Sequence, residues 1–288
     1  MREKYGIVHH DGPVMELTTM IGCPLMCTLC PQDNLRDNYT TQARKYMDVL
    51  ELGMMLDKLP KDTRIDFSGM SEPWANPQCT DMLELVLSMG FKIAVYTTLY
   101  GMEDPERVRR LLEAHPSQVE IIMLHLPDAN GNMKGWKNSE EWQKAAAIIS
   151  HTQVPCGVGA MTMDKDGIVH PDLQPFVGRL PGWVGHTRAD SLDVEQIKGQ
   201  VISITPHNEF SLTCASTPFY DRNVLLPNGD VVLCCMDYNL THVLGNLLTQ
   251  TYDEIMQGKP LLDLIALHEA PEFNKCSICK SCENVRKI

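Results

Sequence analysis

Three cysteines stand close together near the start of the chain: Cys23, Cys27 and Cys30, spaced C-x3-C-x2-C in a stretch that follows an apolar run from Val14 to Leu17. Thiolates this near one another reach three corners of a single iron–sulfur cube, because soft sulfur ligands suit such clusters and also zinc. No fourth ligand lies nearby in sequence, which would leave one metal position open to another molecule. A zinc knuckle or three unrelated thiols are the competing readings. A second group, Cys214, Cys234, Cys235, Cys276, Cys279 and Cys282, lies toward the other end. Four of these thiolates would hold a further iron–sulfur cluster or a tetrahedral structural zinc.

The elements that must position these groups alternate between strand-like and helix-like runs. Val14–Thr19 reads as a strand leading into the cysteine loop. Tyr46–Leu59 places Val49, Leu52, Leu56 and Leu59 on one helical face. Arg64–Ser68 is the next strand, Thr80–Met89 a helix ended by Gly90, and Phe91–Thr98 a third strand. Asp104 caps a helix that carries Pro105 at its first position. Val119–Leu126 is strand again, and Asn138–Glu141 resembles a capping box before a helix over Trp142–Ser150. Gln153–Met163 reads as the fifth strand and Gly182–His186 as a weaker sixth. Such βα alternation predicts a parallel sheet with helices outside it; the pattern itself does not separate a barrel from an open sheet.

Beyond about residue 205 the composition changes. Asn228-Gly229 sits between Val224–Pro227 and Asp230–Cys235, a strong hairpin signal, and a helix is expected over Tyr252–Leu267. The chain therefore divides into residues 14–205, an α/β unit, and 206–288, a small cysteine-rich module.

Bulk composition narrows the function classes. With 25 basic and 37 acidic residues the net charge is −12, which argues against a nucleic-acid binder and against an anionic membrane surface. The N-terminus lacks the apolar core of a signal peptide, and no apolar run approaches the 18 or so residues of a membrane span. Eleven cysteines in 288 residues fit metal-bound thiolates in a reducing cytoplasm better than a secreted disulfide scaffold.

The C-x3-C-x2-C spacing resembles the signature of the radical S-adenosylmethionine (SAM) family, with Leu29 where an aromatic residue is usual. Gly69-Met70-Ser71-Glu72-Pro73 resembles that family's Gly-Gly-Glu-Pro segment, with Met70-Ser71 in place of the second glycine. The resemblance implies a partial (β/α)6 TIM-like barrel with its chemistry at the C-terminal strand ends. It also implies a [4Fe-4S] cluster on Cys23, Cys27 and Cys30 whose open iron chelates SAM. Gly69, Ser71 and Glu72, Thr97 at the end of the third strand, and Arg188 after the sixth are the expected SAM neighbours. His125 and Asp128 are candidate substrate contacts.

In the C-terminal module, 14 residues separate Cys214 from Gly229 and four separate Gly229 from Cys234. This resembles the C-x9–15-G-x4-C opening of SPASM and Twitch extensions, and Cys279-Lys280-Ser281-Cys282 resembles the Cys-x2-Cys that follows. Six cysteines cannot supply eight ligands, so one auxiliary [4Fe-4S] cluster is expected on Cys214, Cys234, Cys279 and Cys282, with Cys276 and Cys235 as alternates. The implied chemistry is reductive SAM cleavage and hydrogen abstraction from a small molecule such as a sugar or aminocyclitol. The auxiliary cluster would take the second electron in a net dehydrogenation, and flavodoxin or ferredoxin would be the electron donor. A thiol such as Cys156, Cys235 or Cys276 returning a hydrogen atom would instead give an epimerase. Peptide modification is the third outcome, disfavoured because only 22 residues precede Cys23, too few for a leader-binding domain. A non-catalytic zinc protein is the alternative of a different class.

Overall fold

The computed structural model describes residues 12–40, 44–182, 188–189, 191–192, 212–214, 217, 220–269, 278–282 and 285–287. Five parallel strands, β1 (Val14–Leu17), β2 (Arg64–Phe67), β3 (Lys92–Thr97), β4 (Val119–Leu126) and β5 (Gly159–Thr162), follow one another across a sheet. Helices α1 (Gln32–Asn38) and α2 (Val49–Leu56) connect β1 to β2; α3 (Cys79–Ser88), α4 (Pro105–Ala114) and α5 (Glu140–Ile149) make the later crossovers. Side-chain caps hold three of these helices in place, those of α4 and α5 as expected from sequence. Asp48 accepts from Leu50 N and Glu51 N, Asp104 from Arg107 N, and Ser139 from Trp142 N.

Strand alternation sorts the side chains between two faces. Met15, Leu17, Ile65, Phe67, Ile93, Val95, Ile122 and Leu124 pack with Leu52, Leu83, Val108 and Ala145 of the helices in one core. Cys79 is buried within it, as a small apolar residue. The opposite face carries Glu16, Asp66, Tyr96, Met123 and His125 and is the polar side of the sheet.

The C-terminal half joins this same sheet. Strand β6 (Leu212–Cys214) is followed by β7 (Arg222–Leu225), β8 (Asp230–Val232) and β9 (Val243–Asn246), then α6 (Tyr252–Met256), α7 (Lys259–Glu269) and β10 (Val285–Lys287). β7 pairs in parallel with β1, Glu16 opposite Val224, and the antiparallel β8 and β9 extend the sheet to eight strands; β6 and β10 form a separate antiparallel pair. The hairpin turns at Asn228-Gly229, where Gly229 takes φ +86°.

Three expectations are corrected. The fifth strand begins at Gly159 rather than Gln153, because Pro155 and Gly157 (φ +67°) turn the preceding segment. Cys156 therefore lies in an exposed turn before the strand, not on its lumenal face. The single helix expected over Tyr252–Leu267 is two, broken at Gly258, with Pro260 unable to continue the earlier ladder. Of the sixth strand, Gly182 bridges Thr162 in parallel, and the rest lies outside the described residues, as do Cys276 and the boundary near 205. Among the described residues no helix is long and apolar enough to cross a membrane.

Candidate cysteine centres and the polar lumen between them

The loop after β1 is pinned from several sides. Gly22 (φ +87°) and Met26 (φ +46°) turn it, and Cys27 bridges Met133 while Gly135 N donates to the Leu25 carbonyl at 2.7 Å. Buried Gln32 ties its two ends together. The Gln32 Oε1 accepts from Cys23 N at 3.1 Å, and Nε2 donates to Cys30 Sγ at 3.2 Å and to the Met70 carbonyl at 2.6 Å. Burial pushes the Cys23 thiol up to about 12, and the nearby Glu72 and Cys30 add to it. Burial likewise raises Cys27, with Cys30 and Cys23 reinforcing the shift. Three thiols in one another's field and screened from water ionise together only when a cationic centre takes up their charge. That donor set fits an iron–sulfur cluster.

The turn after β2 sits against this loop. Gly69 (φ +56°) lies so close to β1 that an added Cβ would meet the Leu17 carbonyl and Thr18 Oγ1 at 2.6 Å each. Thr18 Oγ1 accepts from Met70 N at 3.0 Å, and Ser71 Oγ accepts from Met20 N at 3.4 Å. Glu72 is 5 % exposed and its carboxylate is saturated. It accepts from Thr97 Oγ1 at 2.6 Å, from Thr98 N and Oγ1 at 2.7 Å each, and from Trp74 N at 3.3 Å. Burial raises its pKa while these donors pull it back down. Thr97 Oγ1 also accepts from Leu99 N at 2.8 Å. Glu72 and Thr97 thus brace the ends of β2 and β3 beneath the loop, and their side-chain atoms are engaged with each other.

The polar face of the sheet opens at the strand ends. Glu16 accepts from Ser68 Oγ at 3.4 Å. Burial, then the neighbouring Asp66, raises its carboxyl; Arg222, a hydrogen bond from the Cys235 thiol and Arg188 act against that. Cys235 itself is pushed up to about 12 by burial and by Glu16. His125 stacks edge-on against Tyr96, centroids 6.2 Å apart. Burial, helped by the charge of Arg188, lowers it to about 4, so it is neutral near pH 7. Arg188 and Ala189 both take left-handed backbone (φ +50° and +51°), a strained conformation for non-glycine residues. The Arg188 guanidinium stands 5.7 Å from the ring centre of Tyr238. His125 Nε2 and Asp128 Oδ2 are buried and have no hydrogen-bond partner among the described residues. Asp128 lies near enough to Cys27 to act on its charge.

The second cysteine group, with Glu16 and Arg222, lines a cavity of about 160 Å³. Cys214, Cys234, Cys235, Cys279 and Cys282 all reach it. Cys214 is brought there by β6–β10 pairing, opposite Val285, and Cys279 and Cys282 by a short 3₁₀ turn over Ile278–Ser281. Burial raises the Cys234 thiol, with Cys235, Cys279 and Cys282 adding to it. Among the described residues no three Cys, His, Asp or Glu side chains converge at the distance of a single metal ion. The thiols ring a space rather than meet at a point.

Residues 214–283 match the SPASM iron–sulfur cluster-binding domain. The C-terminal part of the chain thus carries a SPASM domain, described as iron–sulfur cluster-binding. Among solved structures, BtrN in complex with AdoMet and 2-DOIA is similar at 14% identity and TM-score 0.54, over 96% of this chain and 95% of that one. The anSMEcpe structure with bound AdoMet and the Cp18Cys peptide is similar at 14% identity and TM-score 0.52, over 94% and 86%. Streptococcus suis SuiB bound to its precursor peptide SuiA gives 13% and 0.50, over 97% and 71%. At such identities the likeness is one of fold. No curated protein sequence matches the chain.

Three residues of the site were not singled out in the sequence. Gln32 follows Pro31 directly and reads as an ordinary first-turn residue. Glu16 has one signal, a lone acid in an apolar strand. Tyr238 has none, since the Cys30 sulfur that it reaches is 208 positions away.

Proposed function

We propose that this protein is a radical SAM enzyme, acting on a polar small molecule held in the lumen of the sheet. One observation carries the reading: two separate cysteine groups flank the same polar surface, made by Glu16, Ser68, Tyr96, His125 and Arg188. When bound, the N-terminal cluster supplies the electron that splits SAM and so generates the 5′-deoxyadenosyl radical that abstracts a hydrogen atom. Cys23, Cys27 and Cys30 would hold that cluster, with Gly69, Ser71 and Arg188 near the SAM amino-acid group. Glu72 and Thr97 act as the brace beneath it. The AdoMet held by BtrN and anSMEcpe supports this assignment.

Cys214, Cys234, Cys279 and Cys282 would hold one auxiliary [4Fe-4S] cluster, which would serve as the acceptor of the second electron. Net dehydrogenation is the outcome this favours. The orphaned His125 Nε2 and Asp128 Oδ2 await donors or acceptors of a ligand, as sugar or aminocyclitol hydroxyls would provide. The 2-DOIA bound by BtrN supports a small molecule; the peptides bound by anSMEcpe and SuiB keep a peptide as the rival. A second reading, epimerisation, draws on the Cys235 thiol, which is hydrogen-bonded to Glu16 on the lumenal face. Flavodoxin or ferredoxin would be the reductant, in the cytoplasm, with residues 14–205 and 206–288 as the two functional units.

The test is anaerobic incubation of reconstituted protein with dithionite and SAM, measuring 5′-deoxyadenosine. Release by the wild type, abolished in Cys27→Ala and retained in part by Cys279→Ala, is expected. No release by the wild type would refute the reading.

A further inference from the structure

Tyr238 belongs to the segment after β8, in the SPASM domain, yet its hydroxyl lies 3.3 Å from Cys30 Sγ. Its ring is 2 % exposed and packs with Ile21, Leu35, Tyr39, Met70 and Val224 in a small core of its own. Gln32 Nε2 is the other donor on the same sulfur, at 3.2 Å. A neighbouring tie joins the same two segments without touching the sulfur: Asn34 Nδ2 donates to Asn239 Oδ1 at 2.8 Å.

A cysteine that ligates iron is a thiolate and has no proton to give, so in this pair the phenol must donate. Hydrogen bonds to cluster sulfurs draw off negative charge, and the reduced cluster, carrying one electron more, gains most from them. We propose that Tyr238 is a positioning residue by which the SPASM domain sets the reduction potential of the N-terminal cluster, through a hydrogen bond to the Cys30 sulfur. This rests on the reading that Cys23, Cys27 and Cys30 hold that cluster. The consequence is a physical coupling between the halves of the chain: reduction of the SAM-cleaving centre is eased only while the SPASM domain is seated against it.

The experiment is a potentiometric titration followed by EPR, in the presence of SAM so that the SAM-responsive signal is followed separately from the auxiliary one. Tyr238→Phe keeps the ring and its packing and removes only the donor. Its midpoint should move to a more negative potential at unchanged iron and sulfide content. Asn34→Ala, which cuts the neighbouring tie, should leave the midpoint where it is. Replacing Tyr238 with 3-fluorotyrosine, a stronger donor of the same shape, should move it to a less negative value. An unchanged midpoint in the phenylalanine variant, or an equal shift in Asn34→Ala, would overturn the inference while leaving the cluster assignment intact. A wild-type protein with no SAM-responsive signal would overturn the assignment itself, and the inference with it.

Discussion

Glu72 Oε1 accepts a hydrogen bond from Thr97 Oγ1 at 2.6 Å, while Oε2 accepts two from Thr98 at 2.7 Å. One buried carboxylate therefore joins the C-terminal ends of β2 and β3, directly beneath the cysteine loop. Glu72→Ala would leave the hydroxyls of Thr97 and Thr98 and the backbone N–H groups of Thr98 and Trp74 buried without their acceptor, at a cost of about 3 kcal/mol. The midpoint of urea unfolding should fall accordingly. Glu72→Gln, which keeps one acceptor oxygen, should fall less.

Gly69 makes a separate demand on the same turn. Its positive φ and the 2.6 Å contacts awaiting a Cβ mean that Gly69→Ala must displace the end of β1. A loss of at least about 2 kcal/mol is expected. The displacement also moves Thr18 and the loop it leads into, so iron incorporation at the N-terminal site should drop with it. An alanine variant with wild-type stability and iron content would show that the turn has slack that the geometry denies.

The four βα crossovers from β1 to β5 were legible because each is written locally, in apolar periodicity and in an N-cap or a glycine or proline stop. Cys23, Cys27 and Cys30 stand out for the same local reason, whereas Cys214, Cys234, Cys279 and Cys282 come to one cavity from well-separated positions. What the sequence hid is non-local. The parallel pairing of β7 with β1 makes the SPASM hairpin part of the barrel sheet, and it brings Tyr238 to Cys30 across 208 positions. No periodicity records such a contact. Gln32 and Glu16 were hidden differently: each is a polar residue whose role comes from being buried, and burial at one position of a short element is set by what packs over it. Cys156 was misread because Pro155 and Gly157 outweigh the β-rich composition around them.

Cys234 and Cys235 are adjacent and differ in what they face. Cys234 is grouped with Cys279 and Cys282, whereas Cys235 is hydrogen-bonded to Glu16. Cys234→Ser should cost the auxiliary cluster, removing about four irons per chain, while Cys235→Ser should retain them. Mössbauer or iron analysis of the two variants decides this, and iron loss in the Cys235 variant instead would exchange their roles.

His268 is 3 % exposed, and its Nδ1 lies 2.8 Å from the Tyr220 hydroxyl. Burial, with His242 nearby, lowers it to about 4. An unfolded histidine titrates near 6.5, so between about 6.5 and 4 the unfolded chain binds a proton that the folded one refuses. Its contribution to stability is complete above that window and is lost as the pH falls through it, by roughly 3 kcal/mol in all. His268→Gln cannot ionise. The gap in unfolding free energy between wild type and variant should therefore narrow or reverse from pH 7 to pH 5. A gap independent of pH would mean that His268 titrates normally in the fold.

If the two cysteine groups hold two clusters around one lumen, anaerobic iron and sulfide quantitation with EPR of the reduced protein must find both. About eight irons and eight sulfides per chain are expected, with two signals of which one changes when SAM is added. A colourless protein with zinc at both groups and no SAM-responsive signal would contradict the account.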